Sequence, residues 1–158
     1  MGNDKVILTR EGYDKLHKEL ALLKGEKRQE IIRAISEARA QGDLSENAEY
    51  DAAKESQAMN EKRIAEIEYV LSRADILDDS RIPKDTALIG ATIKMKDLRS
   101  KEEFDYMLVS EAEADYDNNK ISLSSPVGKA LIGHKIGDII EIKVPAGVLR
   151  YEIIGITR

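Results

Sequence analysis

Cysteine and tryptophan are absent from the 158-residue sequence, which also has one phenylalanine and two histidines. Without cysteine there is no disulfide, no thiol nucleophile and no Cys-ligated zinc. Aromatic residues make up 4% of the chain, so a surface that stacks several nucleic-acid bases is not expected. The two histidines, His17 and His134, are far apart in sequence and indicate neither a metal site nor a catalytic triad. We interpret both as structural or surface residues.

No hydrophobic run is long enough to cross a bilayer, and the first residues lack the apolar segment of a signal peptide. The sequence therefore predicts a cytoplasmic protein without membrane contact. The net charge of −5 resides in the first half, because residues 1–80 carry 13 Lys and Arg against 18 Asp and Glu. An acidic chain does not coat nucleic acid by neutralising phosphates. Any contact with a polynucleotide is expected to be local, or to be held by a third partner.

The first half has the apolar spacing of two long helices. Apolar residues begin at Tyr13 with a 3-4-3 spacing, then the stripe slips by about one residue near Gly25, which predicts local unwinding rather than a helix end. Gly42 is expected to end this helix. A second helix is predicted to start between Asp43 and Ser45. Its expected buried face is Ala48, Ala52, Met59, Ile67, Leu71 and Ala74.

These two helices predict an antiparallel two-stranded coiled coil over residues 1–79, with an acidic tip at residues 42–47. A polar, proline-containing linker follows, and the apolar period then changes from 3.6 to 2. Residues 80–158 are therefore predicted to form an α+β domain, in which an antiparallel sheet packs against one short helix after Ser125 and Pro126. The predicted strands have alternating apolar residues within Ile89–Met95, Phe104–Leu108, Ile121–Leu123, Ile140–Val144 and Leu149–Ile153.

The acidic residues of the tip allow two interpretations. Asp43 followed three residues later by Glu46 fits a capping box, in which both side chains bind backbone amides at a helix start. Alternatively, both carboxylates point outward and act as hard oxygen ligands, since Mg²⁺ typically takes one or two protein carboxylates and fills its other positions with water and phosphate. The two interpretations are compatible, because hydrogen bonds to the helix start would also orient the carboxylates of Asp43 and Glu46.

Two stretches of the sequence, Glu37–Glu55 and Ser124–Gly133, resemble the tip and the C-terminal signature of the bacterial Gre transcript-cleavage factors, in their GreA type. The resemblance covers essentially the whole chain. It implies a coiled-coil arm followed by an FKBP-like domain that docks at the rim of the RNA polymerase secondary channel. Ser125 and Pro126 lie in the region that touches this rim.

The resemblance further implies that Asp43 and Glu46 help to hold the second Mg²⁺ of the polymerase and position the attacking water, so that the polymerase cleaves backtracked RNA near its 3′ end. The chain would then be an activator rather than an enzyme, and Mg²⁺ is expected only within the polymerase complex. Arg39 and Lys54 correspond to basic residues that contact the RNA, although either could be a solvated helix charge. The remaining residues assigned to the tip are Leu44, Ser45, Asn47 and Tyr50.

Three alternatives stay open at this stage. A Gre-like inhibitor would occupy the channel without promoting cleavage. A peptidyl-prolyl isomerase would need clustered aromatics, for which the second half offers only Phe104, Tyr106, Tyr116 and Tyr151. A coiled-coil adaptor would leave the acidic tip unexplained. The free protein is expected to be a monomer.

Overall fold

The computed structural model describes residues 4–43 and 47–158. The chain divides into two compact units, of which one contains Glu11–Ala74 and the other contains Lys5–Arg10 together with Asp75–Arg158. The predicted domain ranges, 1–79 and 80–158, stay a prediction. The compact units differ from them because a short strand near the N-terminus pairs with the chain that follows the hairpin.

The first unit is a helical hairpin, as predicted. Its first arm runs through α1 (Arg10–Leu22), a π-helical turn (Leu23–Lys27) and α2 (Arg28–Ala40), and its second arm is α3 (Ala48–Ser72). The two arms run antiparallel. Ion pairs join Lys24 to Glu68 and Arg28 to Glu61, so a residue further along the first arm pairs with a residue earlier in the second. At 1.5 Å per residue, α3 is roughly 37 Å long.

The π-helical turn accounts for the slip in the apolar stripe of the first arm. A π turn adds one residue to the helical repeat, so the inward face is displaced by one position beyond it. Gly25 lies within this turn, at a position where an added Cβ would meet nothing within 4 Å. The predicted local unwinding is confirmed, and the helix continues through it.

The inward face of α3 is only partly the predicted one, since Ile67 is buried as predicted but other positions differ. Ala53, Asn60, Ile64 and Ile67 are buried, whereas Met59, which was expected inside, is 67% exposed. The observed spacing is that of a coiled-coil seam. The seam was misassigned because Asn60, a polar residue, occupies one of its positions. Its Nδ2 donates a hydrogen bond to the carbonyl oxygen of Leu23, at 3.1 Å. Of the other predicted inward residues, Ala48 and Ala52 are also exposed.

In the second unit, a two-stranded sheet pairs β1 (Val6–Leu8) with β2 (Ala74–Ile76). The side chain of Leu8 is fully buried, and its carbonyl oxygen accepts a hydrogen bond from the Leu77 amide. The sequence analysis recognised residues 6–8 only as an apolar lead-in, because their pairing partner lies more than sixty residues away.

The main sheet has five strands in the order β5-β4-β3-β7-β6. All five predicted strands are present, and a two-residue turn, Pro145–Ala146, joins the last two. The strands are β3 (Thr92–Asp97), β4 (Glu103–Val109), β5 (Lys120–Ser122), β6 (Ile139–Val144) and β7 (Gly147–Thr157).

The predicted antiparallel pairing is present in three of the four strand pairs, whereas β4 and β5 run parallel. Parallel neighbours need a longer connection than a hairpin turn. Residues 110–119 supply it, and they contain two 3₁₀ turns, Glu111–Glu113 and Tyr116–Asn118. The other three strand pairs are antiparallel.

The core of the second unit lies between the sheet and α4 (Pro126–Leu131), the one short helix predicted. Leu131 is fully buried, as are Ile93, Met95, Leu108 and Ile153. Within the described residues, no helix combines the length and the apolar character that a membrane span requires.

Candidate functional site

The first arm of the hairpin ends at Gly42. α2 stops at Ala40, and Gly42 adopts a φ of +111° that favours glycine. Its amide donates to the carbonyl oxygen of Arg39 at 3.3 Å, which satisfies one of the free carbonyls at the helix C-terminus. The prediction that Gly42 ends this helix is confirmed. Asp43 follows directly and is exposed.

The second arm begins at Asn47, and not at Asp43 as the capping-box interpretation required. Asn47 is the N-cap of α3, and its Oδ1 accepts hydrogen bonds from the amides of Glu49 and Tyr50, both at 3.1 Å. Asp43 lies four residues earlier, outside the helix. Asp43 is therefore not the N-cap of α3, and the prediction that the second helix starts between Asp43 and Ser45 is wrong. Glu46, the other half of the capping box, lies outside the described residues.

Asn47 also reaches across to the other arm. Its Nδ2 donates to the carbonyl oxygen of Ala38, at 2.7 Å, and Ala38 is 1% exposed. Sequence reasoning assigned Asn47 to the tip without a role. The available signal was that Asn is as good an N-cap as Asp, and that acidic residues at 49 and 51 suit the first turn of a helix that starts at Ala48.

Tyr50 and Arg39 meet beside this bridge. Tyr50 packs against the small apolar cluster of Ile31, Ile35 and Ala53. The guanidinium carbon of Arg39 lies 6.0 Å from the centre of the Tyr50 ring, at the limit for a cation–π contact. Tyr50 thus packs within the hairpin, while its ring holds a positive charge at the end of α2.

Lys54 lies one turn beyond Tyr50 on α3 and is exposed. Its Nζ contacts Oε1 of Gln57 at 3.0 Å, a neutral partner that leaves the positive charge uncompensated at that contact. Arg39 and Lys54, predicted to flank the tip on separate helices, therefore both present positive charge near the hairpin end.

Leu44, Ser45 and Glu46 lie outside the described residues. Asp43 offers carboxylate oxygens, the ligand type that Mg²⁺ prefers, and its exposure fits a ligand that meets an ion held elsewhere. Within residues 4–43 and 47–158, no group of three or more His, Asp or Glu side chains is placed to hold a metal ion.

The second predicted region is the start of α4, in the other compact unit. Ser125 is its N-cap, with Oγ accepting from the Gly128 amide at 3.0 Å and donating to the Ser122 carbonyl oxygen at 2.7 Å. Pro126 is the first helical residue and is exposed. The predicted cap-then-proline arrangement is confirmed, and a role in docking stays a prediction.

His134 follows this helix and contacts Asp138, with Nδ1 and Oδ2 2.9 Å apart. The Lys135 backbone N–H, and then the His134 ring, hold the pKa of Asp138 below its ordinary value. These contacts tie the loop between α4 and β6, consistent with a structural His134.

Three of the four aromatics weighed for an isomerase pocket pack on each other. Phe104 makes edge-to-face contacts with Tyr106 and Tyr151, with ring centres 5.3 and 5.1 Å apart. All three pack against the core of the sheet, and burial raises the pKa of the Tyr151 hydroxyl. Tyr116 is 64% exposed. Core packing accounts for the three clustered rings.

Two family models match the chain. The N-terminal model of the transcription elongation factors matches residues 6–76, and the GreA/GreB C-terminal model matches residues 82–158. The chain belongs to the GreA/GreB family of transcription elongation factors. The resemblance found in the two sequence stretches is therefore confirmed.

Individual GreA/GreB relatives agree over nearly the full length. Transcription elongation factor GreA of Chloroherpeton thalassium is 53% identical over 154 residues, which cover 98% of each chain. GreA of Clostridium botulinum strain Kyoto is 51% identical, over 98% of this chain and 96% of the other. A solved structure of GreA factor homolog 1 from Thermus thermophilus is 33% identical over 98% of this chain and 99% of the other, with a TM-score of 0.45.

Proposed function

We propose that this GreA-type factor inserts the end of its hairpin into the secondary channel of bacterial RNA polymerase and stimulates the polymerase to cleave backtracked RNA. The main support is the agreement with GreA relatives over both units of the chain. Asp43 is exposed at the hairpin end, and the two helices that flank it carry the basic side chains of Arg39 and Lys54, which is an arrangement that suits such a role.

In this proposal Asp43 and Glu46 supply carboxylate oxygens to a Mg²⁺ site completed by the polymerase. Mg²⁺, when bound there, would lower the pKa of a water molecule and stabilise charge on the phosphate. The two acids would hold and orient that water through hydrogen bonds. In this proposal the polymerase would contribute the other ligands, and the factor activates hydrolysis without being an enzyme itself.

Arg39 and Lys54 would hold the 3′ segment of the backtracked RNA by contacts to its phosphates. Such contacts position a strand without reading its sequence, which suits a factor that rescues arrested complexes at many sites. The start of α4, with Ser125 and Pro126, would dock on the channel rim. The factor would act as a monomer in the cytoplasm.

The proposal is tested by a cleavage assay on a stalled, backtracked elongation complex. Wild-type protein should shorten the RNA from its 3′ end, and Asp43→Asn or Glu46→Gln should abolish this effect while polymerase binding persists. Slowed elongation without cleavage would show a channel inhibitor instead. If either substituted protein stimulates cleavage as well as wild type, the metal role of the acids is wrong.

A further inference from the structure

Asn47, four residues after Asp43, joins the two arms of the hairpin near their ends. One amide group makes three hydrogen bonds, with two backbone N–H groups of α3 at 3.1 Å and with the Ala38 carbonyl of α2 at 2.7 Å. Its orientation is fixed by these partners, because a flipped amide would turn its NH₂ group toward N–H donors.

Among the preferred N-cap residues, asparagine alone carries its acceptor oxygen and its donor nitrogen on separate atoms. Serine and threonine have one oxygen, one bond nearer to the backbone, for both the cap and the donated bond, and aspartate at neutral pH has no donor. A cap alone therefore does not explain this residue type, whereas a cap that also bridges to the opposite helix does.

The bridge from Asn47 ends at a well-anchored part of α2. The Ala38 carbonyl is buried and also accepts the Gln41 amide at 3.2 Å, and the Gly42 amide is tied to Arg39. The chain is thus anchored immediately before Asp43, and Asn47 fixes this end of α2 against the start of α3. Asp43 is bonded directly to Gly42, so the backbone that carries its carboxylate is restrained, and less entropy is lost when that carboxylate binds an ion.

We propose that Asn47 is a positioning residue that keeps Asp43 in place for Mg²⁺ by bridging the two helices, a role that rests on the proposed function. In this role Asn47 would touch neither the ion nor the RNA. Its effect should show in the Mg²⁺ concentration that cleavage requires, since loosening the end of α2 makes the Asp43 contact to the ion less favourable without removing a ligand.

The test replaces Asn47 by serine, which keeps the helix cap and loses the bridge. Cleavage of a backtracked complex is measured against Mg²⁺ concentration at saturating factor. Asn47→Ser should need about three- to tenfold more Mg²⁺ for half-maximal cleavage, which is the effect of one lost hydrogen bond. The maximal cleavage rate should not change. The affinity for polymerase, measured by competition with the wild-type protein, should not change either. Asn47→Thr, which also caps, should behave alike, and far-UV circular dichroism should show wild-type helix content for both.

Asn60→Ser is the matched control. Asn60 makes the same kind of amide-to-carbonyl bond between the arms, to Leu23 at 3.1 Å, about 20 Å further along α3. It should lower the thermal stability of the hairpin and leave the Mg²⁺ requirement unchanged.

A wild-type Mg²⁺ requirement in Asn47→Ser, or an equal rise in Asn60→Ser, overturns the positioning role. An active Asp43→Asn protein would instead reject the proposed function, whatever the Asn47 variants do.

Discussion

Asn60 on α3 donates its side-chain amide to the carbonyl oxygen of Leu23, the first residue of the π-helical turn, at 3.1 Å. Asn60 is 6% exposed, so a polar group sits in the seam of the coiled coil where the opposite helix changes its repeat. A helix that changes its repeat leaves carbonyl groups without regular partners. The Asn60 amide supplies a partner at that place.

Asn60→Ala should therefore destabilise the hairpin. The substitution leaves the Leu23 carbonyl without its side-chain donor, which costs about 1–3 kcal/mol in the free energy of unfolding. Denaturant unfolding followed by circular dichroism at 222 nm measures the change. Ser56→Ala, at an exposed position of the same helix, is the control and should unfold close to wild type. An Asn60→Ala protein with wild-type stability would show that this hydrogen bond contributes nothing.

Gly25 and Gly42 should respond in opposite directions to the same substitution. At Gly25 a Cβ meets open space and φ is not positive, so Gly25→Ala should stabilise the hairpin by about 0.4–1 kcal/mol. At Gly42, with φ at +111°, alanine should destabilise it by about 1–2 kcal/mol. Thermal melts of both variants against wild type give the two signs, and equal signs would contradict the assignment of one of these conformations.

The ion pair of Arg28 and Glu61 should make hairpin stability depend on pH. The guanidinium donates two hydrogen bonds to the carboxylate, at 2.9 and 2.7 Å, and holds the pKa of Glu61 below its ordinary value. A carboxyl with a lowered folded-state pKa stabilises the fold above its unfolded-state pKa, and this contribution is lost as the pH falls through the folded-state pKa.

Glu61→Gln should consequently melt below wild type at pH 7, and the difference should shrink as the pH falls below about 4.3. Both side chains are well exposed, so high salt should also reduce it. Glu55 is another exposed carboxylate of α3, and Glu55→Gln is the control. Its difference in melting temperature from wild type should change less with pH. A Glu61→Gln deficit that stays constant from pH 7 to pH 3 would rule out the ion pair as its source.

Gly128→Ala should disrupt the start of α4. An added Cβ would clash with the backbone carbonyl oxygen of Ser122 and lie 3.1 Å from the carbonyl carbon of Leu123, so the helix would have to move away from β5. We expect a loss of about 1–3 kcal/mol in the free energy of unfolding. We also expect a lower affinity for polymerase, measured by competition with the wild-type protein, because Ser125 caps the helix through the Gly128 amide. Gly25→Ala serves as the matched substitution in open space, and an undisturbed Gly128→Ala protein would contradict this packing.

The hairpin, the five strands and α4 could be predicted because each has an apolar period that its burial enforces. The seam of α3 could not, since Asn60 occupies an inward position while Met59 and Ala52 face outward. Hydrophobicity alone therefore points to the wrong face. The parallel pairing of β4 and β5 was equally hidden, because alternation along a strand carries no information on its direction.

The tip residues were predicted from their type, their spacing and the family resemblance, but the local contacts of Asn47 were not predicted. Asp43 and Asn47 are equally good caps in isolation, and only the position of the first helical turn, at Ala48, distinguishes them. The bridge from Asn47 to Ala38 joins residues on different helices, and it depends on the register of the hairpin, which a single sequence does not reveal.

The pairing of β1 with β2 makes the helical hairpin an insertion within the sheet unit. The chain contributes a strand to that unit, departs for the whole of Glu11–Ala74, and returns to the neighbouring strand. A fragment that starts at residue 80 would lack both of these strands, including the fully buried Leu8. A chain in which a short turn replaces the hairpin would keep them, and that is the form in which the sheet unit should be produced alone.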